Sequence, residues 1–208
     1  MWATLFSMIG LLASEMVLAQ VSAKELSQQA MEQCQKGRVA VDREARLEHF
    51  ERGTQLAEEA LKMDDRDPNA HFSLFCNLGE RMRVDGETLT AVMDYGRLME
   101  ALDTALILDP DFLDALSAKG MLLVRLPWIM GGDPQKGEVM LKRVVKEDPT
   151  AINARMGLAR VCVDRGDHQG ALAYAKDAYE LAKERKQLDL LPEAQELLAN
   201  IQGITVSR

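Results

Sequence analysis

The run LARVCVDRGDHQGALAYAKDAYELA, residues 158–182, decides the fold. With Arg155 just ahead of it, Leu158, Ala159 and Cys162 recur at the i, i+3, i+4, i+7 spacing that puts four side chains on one face of a helix. Gly166-Asp167 then interrupts the pattern, glycine accepting the backbone of a tight turn and aspartate being a favoured N-cap. Beyond it Ala171, Ala175, Ala178 and Ala182 line one face of a second helix, flanked by Leu172, Tyr179 and Leu181. A seam of such small side chains lets two antiparallel helices come close, so this stretch predicts a helical hairpin.

Outward from it the same grammar repeats. All six prolines stand where a helix should begin or end, and Pro68, Pro110 and Pro149 are 42 and 39 residues apart. The preceding unit has Leu116, Gly120 and Leu123, then Gly132-Asp133, then Gly137, Leu141 and Val144. The one before it has Phe75, Leu78, Gly79 and Met82, then Leu98, Leu102 and Ala105. Gly86, Tyr95 and Gly96 are expected in a long, irregular connection between those two stripes. Leu26–Lys36 and Arg43–Met63 read as a fourth, divergent pair, with Ala57, Ala60 and Leu61 on its packing face. Pro192, Leu197, Leu198 and Ile201 predict a final helix over the open end, where a stack would otherwise leave an apolar face in water.

This order of small residue, Gly-Asp turn and alanine pair resembles the tetratricopeptide repeat, although the steps exceed its period of about 34 residues. The resemblance covers nearly the whole chain after residue 24. It implies an all-α fold, a right-handed superhelical stack of antiparallel helix pairs forming one domain over 24–208. A non-catalytic scaffold that binds a peptide or protein partner in a concave groove is the function it implies.

LPWIMGGDPQKG, residues 126–137, gives its unit about five extra residues over the usual length. Pro127 ends one helix, Gly131 and Gly132 permit the bend, and Asp133 with Pro134 should start the next helix. Trp128 is expected to plug the gap left by the longer turn, with a partner surface as the alternative. The segment is also similar to one in the periplasmic tetratricopeptide component of TRAP-type solute transport. That likeness implies an accessory that associates with a solute-binding protein, and it allows self-association.

The apolar stretch Trp2–Ser14, followed by Val17-Leu18-Ala19, has the size and small-residue ending of a secretory signal segment over residues 1–19. A periplasmic or secreted protein is therefore expected. An uncleaved N-terminal anchor is the alternative, and the sole expected route to membrane contact. No Lys or Arg precedes the apolar run, and Glu15 interrupts its approach to the cleavage point.

Composition argues against several other classes. The formal net charge of -8, with basic residues interspersed among acidic ones, disfavours nucleic acid. Cys34, Cys76 and Cys162 are too far apart for a CxxC pair, and they are expected as unpaired, buried apolar residues. One disulfide with one thiol left over is the alternative in an oxidising compartment. His49, His71 and His168 fall in separate units without a second ligand at i+4, so no metal site, cofactor or catalytic residue is expected.

On the first helices of the repeats, the stripe turned toward the groove is expected to bind the partner. In the last regular unit it comprises Asn153, Met156, Arg160 and Asp164; in the one before, Asp114, Ser117, Met121 and Arg125. Ser73, Glu80 and Arg83 continue it. Arg83, Arg125 and Arg160 together would suit a carboxylate-bearing peptide.

Overall fold

Helix starts are set by side chains that satisfy the otherwise orphaned amides of a first turn. Ser22 and Glu25 form a reciprocal capping box, the Glu25 amide donating to Ser22 Oγ (3.2 Å) and the Ser22 amide to Glu25 Oε2 (2.8 Å). Asp67, Asp133 and Asp167 accept from the amides of Asn69, Lys136 and Gly170. Pro68 and Pro134 sit in the first turns that the first two of these aspartates open.

The computed structural model describes residues 21–86 and 89–206, with side chains for all of these except 89–94 and 204–206. The expected signal segment lies outside the described residues. The helices are α1 (Ala23–Val39), α2 (Arg43–Met63), α3 (Pro68–Asp85), α4 (Leu89–Leu108), α5 (Leu113–Arg125), α6 (Pro134–Glu147), α7 (Ile152–Asp164), α8 (His168–Glu184) and α9 (Leu191–Val206). A single 3-10 turn, Trp128–Met130, joins α5 to α6. The described residues contain no strand.

Consecutive helices pair as α1/α2, α3/α4, α5/α6 and α7/α8, and α9 covers α8. First helices also pack side by side, α1 on α3 and α5 on α7. The chain is thus an all-α stack of helical hairpins. Its junctions repeat: Asp64, Asp109 and Asp148 each accept, through Oδ1, from the amide two residues on, at 3.0, 3.0 and 2.8 Å. This local bond turns the chain from one hairpin into the next.

Small residues allow the close approaches. Ala171, Ala175, Ala178 and Ala182 are fully buried on α8 among Met156, Ala159, Cys162 and the α9 residues Ala194, Leu197 and Ile201. Where α5 crosses α6, a Cβ on Gly137 would lie 2.7 Å from the carbonyl oxygen of Gly120, and backbone cannot easily give way there.

The expected irregular connection around Gly86, Tyr95 and Gly96 is corrected: Gly86, at φ 79°, ends α3, and Tyr95 and Gly96 lie inside the twenty-residue α4. One interior glycine costs about 1 kcal/mol, which the buried Leu98, Ala101, Leu102 and Ala105 outweigh.

The expectation of unpaired cysteines is also corrected. Cys34 on α1 and Cys76 on α3 form a disulfide, with Cα atoms 6.2 Å apart, buried against Phe50, Met31 and Val84. Their separation of 42 residues hid the pair, since stacking of the two first helices brings them together. Cys162 is free and buried, as expected.

The stack is thinnest between α4 and α5. There Leu102, Ala105 and Ala115 make a small core joined by Phe72, Phe75 and Phe112. The Phe72 ring meets Phe112 edge-on at a centroid distance of 5.0 Å, linking α3 to the residue that precedes α5.

Candidate functional site

A cleft of about 280 Å³ opens at this thin joint, between α1, α3 and the start of α5. Met31, Phe72 and Phe112 give it an apolar surface, and Lys24, Ser27, Gln28, Gln35, Asn69 and Asp114 supply polar groups. Lys24, Gln28, Met31 and Gln35 follow one another at +4, +3 and +4, so one stripe of α1 faces the cleft. From α3, Asn69 and Phe72 share a face at +3, and Asp114 lies in the first turn of α5.

Asp114 retains solvent contact, but the cleft walls crowd it. This partial desolvation, reinforced by Asp148 and opposed by the more favourable charge of Arg38, raises its carboxyl above the ordinary 3.8. No hydrogen bond or ion pair engages the Asp114 side chain among the described residues.

The other residues expected in a groove divide into three groups. Ser73, Ser117 and Met156 are buried, at 0%, 6% and 0% exposure, and their placement on an open surface is corrected. Ser73 Oγ donates to the Ala70 carbonyl on its own helix (2.9 Å). Met156 lies in the core shared by α7, α8 and α9, and of the rest of its stripe Arg160 meets α9 at Glu193. Met121 is half-buried in the core shared by α5, α6 and α7, and its Sδ would lie 2.6 Å from a Cβ on Gly157.

The arginines meet the chain's own carboxylates, and Glu80 is one of those carboxylates. Glu80, only 13% exposed at its side chain, receives Arg38 Nε at 2.8 Å and Arg83 at 2.6 Å. Arg160 lies 2.9 Å and Arg125 3.9 Å from Glu193 on α9. Structure therefore brings Arg125 and Arg160 together at one carboxylate, while Arg83 belongs to the Glu80 pair. Asn153 is half-buried and Asp164 exposed.

Trp128 departs most from expectation. It is 84% exposed, with Ile129 at 77% and Met130 at 48%, so it plugs no gap. The gap is closed by backbone instead: the amides of Met130 and Gly132 donate to the Pro127 carbonyl, and that of Asp133 donates to the Leu123 carbonyl. Gly131 takes the left-handed conformation at φ 87°, and a Cβ on Gly132 would collide with the Leu126 carbonyl. Asp133 caps α6 as expected.

Most of the cleft escaped the sequence reading. The first hairpin diverges from the repeat pattern, so its stripe from Lys24 to Gln35 does not align with those of the later repeats. On α3 the register chosen through Ser73 was one residue from Phe72, which turns a side chain by about 100°. The +4, +3, +4 spacing was the signal that could have found the α1 wall.

Among the described residues no group of three or more His, Cys, Asp or Glu is placed to hold a metal ion, and no helix is long and apolar enough to cross a membrane. His49 Nδ1 pairs with Gln33 Oε1 and His71 Nε2 with the Asp65 carbonyl, both at 2.8 Å.

No family model matches the chain. No curated protein matches it either. Among solved structures it is similar to PilW, described as a widely conserved type IV pilus biogenesis factor, at 18% identity over 86% of this chain and 94% of that one. The TM-score is 0.37, and a likeness at that level carries no argument about function.

Proposed function

We propose that the chain is a non-catalytic helical-repeat scaffold of the tetratricopeptide type, in one domain from residue 24 onward, that takes a segment of a partner protein into the α1/α3/α5 cleft. The observation that carries this reading is the cleft itself: Met31, Gln28 and Gln35 on α1, Asn69 and Phe72 on α3, and Phe112 at the start of α5. Apolar anchors give binding energy in such a site, about 1.5–3 kcal/mol per buried side chain. The amides can meet a peptide backbone, because each offers both donor and acceptor. Crosslinking from a photoreactive group at Gln35, another exposed residue of the cleft lining, in cells and identifying the attached protein tests it. A specific adduct lost in a Gln28→Trp protein supports the reading; crosslinking unaffected by filling the cleft rejects it.

The proposed compartment lies outside the cytoplasm, after removal of residues 1–19. The Cys34–Cys76 disulfide supports this, because such bonds persist in oxidising compartments. Protein trapped with an alkylating agent in its native cells should carry one modified cysteine and begin near Gln20. Three modified cysteines on a chain beginning at Met1 would refute it.

A second reading, an accessory that holds a periplasmic solute-binding protein, draws on the exposed Trp128, Ile129 and Met130, within the segment similar to the TRAP-associated repeat protein. Capture of a solute-binding protein that disappears with Trp128→Ala would favour it.

A further inference from the structure

The cleft is chemically lopsided. Several carboxylates elsewhere in the stack have partners: Glu80 and Asp189 meet Arg38, Glu193 meets Arg160, and Asp148 accepts from Thr150. Asp114 alone among these stands on the cleft wall without a hydrogen bond or ion pair, beside the Phe72–Phe112 pair. The cation lining the cleft with it is Lys24, in the first turn of α1.

We infer that the segment bound in this cleft carries a lysine or arginine next to an apolar residue, with the basic group on Asp114 and the apolar side chain on Met31, Phe72 and Phe112. This rests on the proposed peptide-binding role and specifies its ligand. A solvent-accessible but partly desolvated carboxylate beside two aromatic rings gains from a cation that can donate hydrogen bonds to it. The methylene stem of Lys or Arg packs on aromatic rings while its head stays with the carboxylate, and the ring faces attract the same charge. An acidic residue in that place would bring like charge against Asp114, whose surroundings Asp148 makes more negative and Arg38 less so. Lys24 lies across the cleft on a flexible stem and is available to a ligand carbonyl. If Lys24 instead swings over to neutralise Asp114, its removal will create the preference for a base, and that distinguishes the two arrangements.

The test uses three end-blocked, Gly/Ser-based nonapeptides with a central Leu-Lys, Leu-Gln or Leu-Glu pair, titrated to millimolar concentration into the full chain and followed by NMR shifts. The Leu-Lys peptide should bind about tenfold more tightly than Leu-Glu, the worth of one charge-assisted hydrogen bond. Asp114→Asn should erase the difference, Asp114→Lys should reverse it, and Lys24→Gln should leave the order unchanged. Equal binding of all three peptides, with shifts at Phe72 and Phe112 that vanish in Gln28→Trp, would overturn the charge rule while keeping the cleft as a peptide site. A preference for Leu-Lys seen only in Lys24→Gln would also overturn it, since Lys24 would then be the partner of Asp114. Shifts nowhere near the cleft, or none with any peptide, would overturn both the inference and the proposed function. Gln28 is exposed on the rim, so its variant tests occupancy without disturbing the core.

Discussion

Arg38, near the end of α1, reaches Asp189 in the turn before α9, with Nη1 and Oδ2 3.5 Å apart and 151 residues of chain between them. Its Nε simultaneously holds Glu80 at 2.8 Å. One guanidinium therefore ties the first two hairpins to the last turn, across the thin joint between α4 and α5. The three side chains are 26%, 13% and 16% exposed, which limits screening by solvent. Arg38→Ala should cost about 1–2 kcal/mol in urea unfolding, because Glu80 and Asp189 lose a shared partner. Arg43→Ala removes the more exposed pair with Asp85 and should cost at most about 0.5 kcal/mol. Equal effects from the two variants would show that the long-range tie contributes nothing special.

The disulfide makes a separate contribution. Replacing Cys34 and Cys76 together by alanine should lower stability by about 2–5 kcal/mol, most of it by freeing the unfolded chain. Reducing agent should lower the melting temperature of the native chain and leave that of the double variant unchanged. A native chain insensitive to reductant would mean that the bond is absent in solution.

Trp128→Ala should leave thermal stability within about 0.5 kcal/mol, because an exposed side chain buries little area when the protein folds. The fluorescence lost on Trp128→Phe should be red-shifted and readily quenched by iodide. A loss of several kcal/mol, or a blue-shifted and protected Trp128, would return this residue to a packing role.

Asp114 should show a stability cost with a defined pH window. Its carboxyl is raised by desolvation and by Asp148, with Arg38 acting in the opposite sense, and Lys24 lines the same cleft. Since the folded value lies above the unfolded 3.8, the ionised group penalises the folded state at neutral pH. Asp114→Asn should therefore stabilise the chain near pH 7. The gain should shrink as pH falls through the folded value and vanish below 3.8, where both states are protonated. Stabilisation that persists unchanged below that point would show that charge is not its cause.

The helical hairpins could be read from the residues because their information is local. The Leu158–Ala182 run, the Gly166-Asp167 turn, the alanine seam of α8 and the proline positions each act within a few residues, and helices form at them in the structure. Arg43–Met63 was expected at the bounds observed for α2. Where propensity and packing disagreed, as at Gly96 in α4, packing won.

Tertiary structure decided which face of each helix remained open. Periodicity identifies the stripes of a helix but not how many neighbours will cover them: α7, packed by α5, α6, α8 and α9, leaves Met156 buried although Arg160, four residues on, reaches an accessible face. The same geometry paired Cys34 with Cys76, gave Arg125 and Arg160 to Glu193, and built a cleft from α1, α3 and α5. Helix signals act through neighbours three or four positions apart, whereas each of these contacts depends on how whole hairpins come to rest against one another.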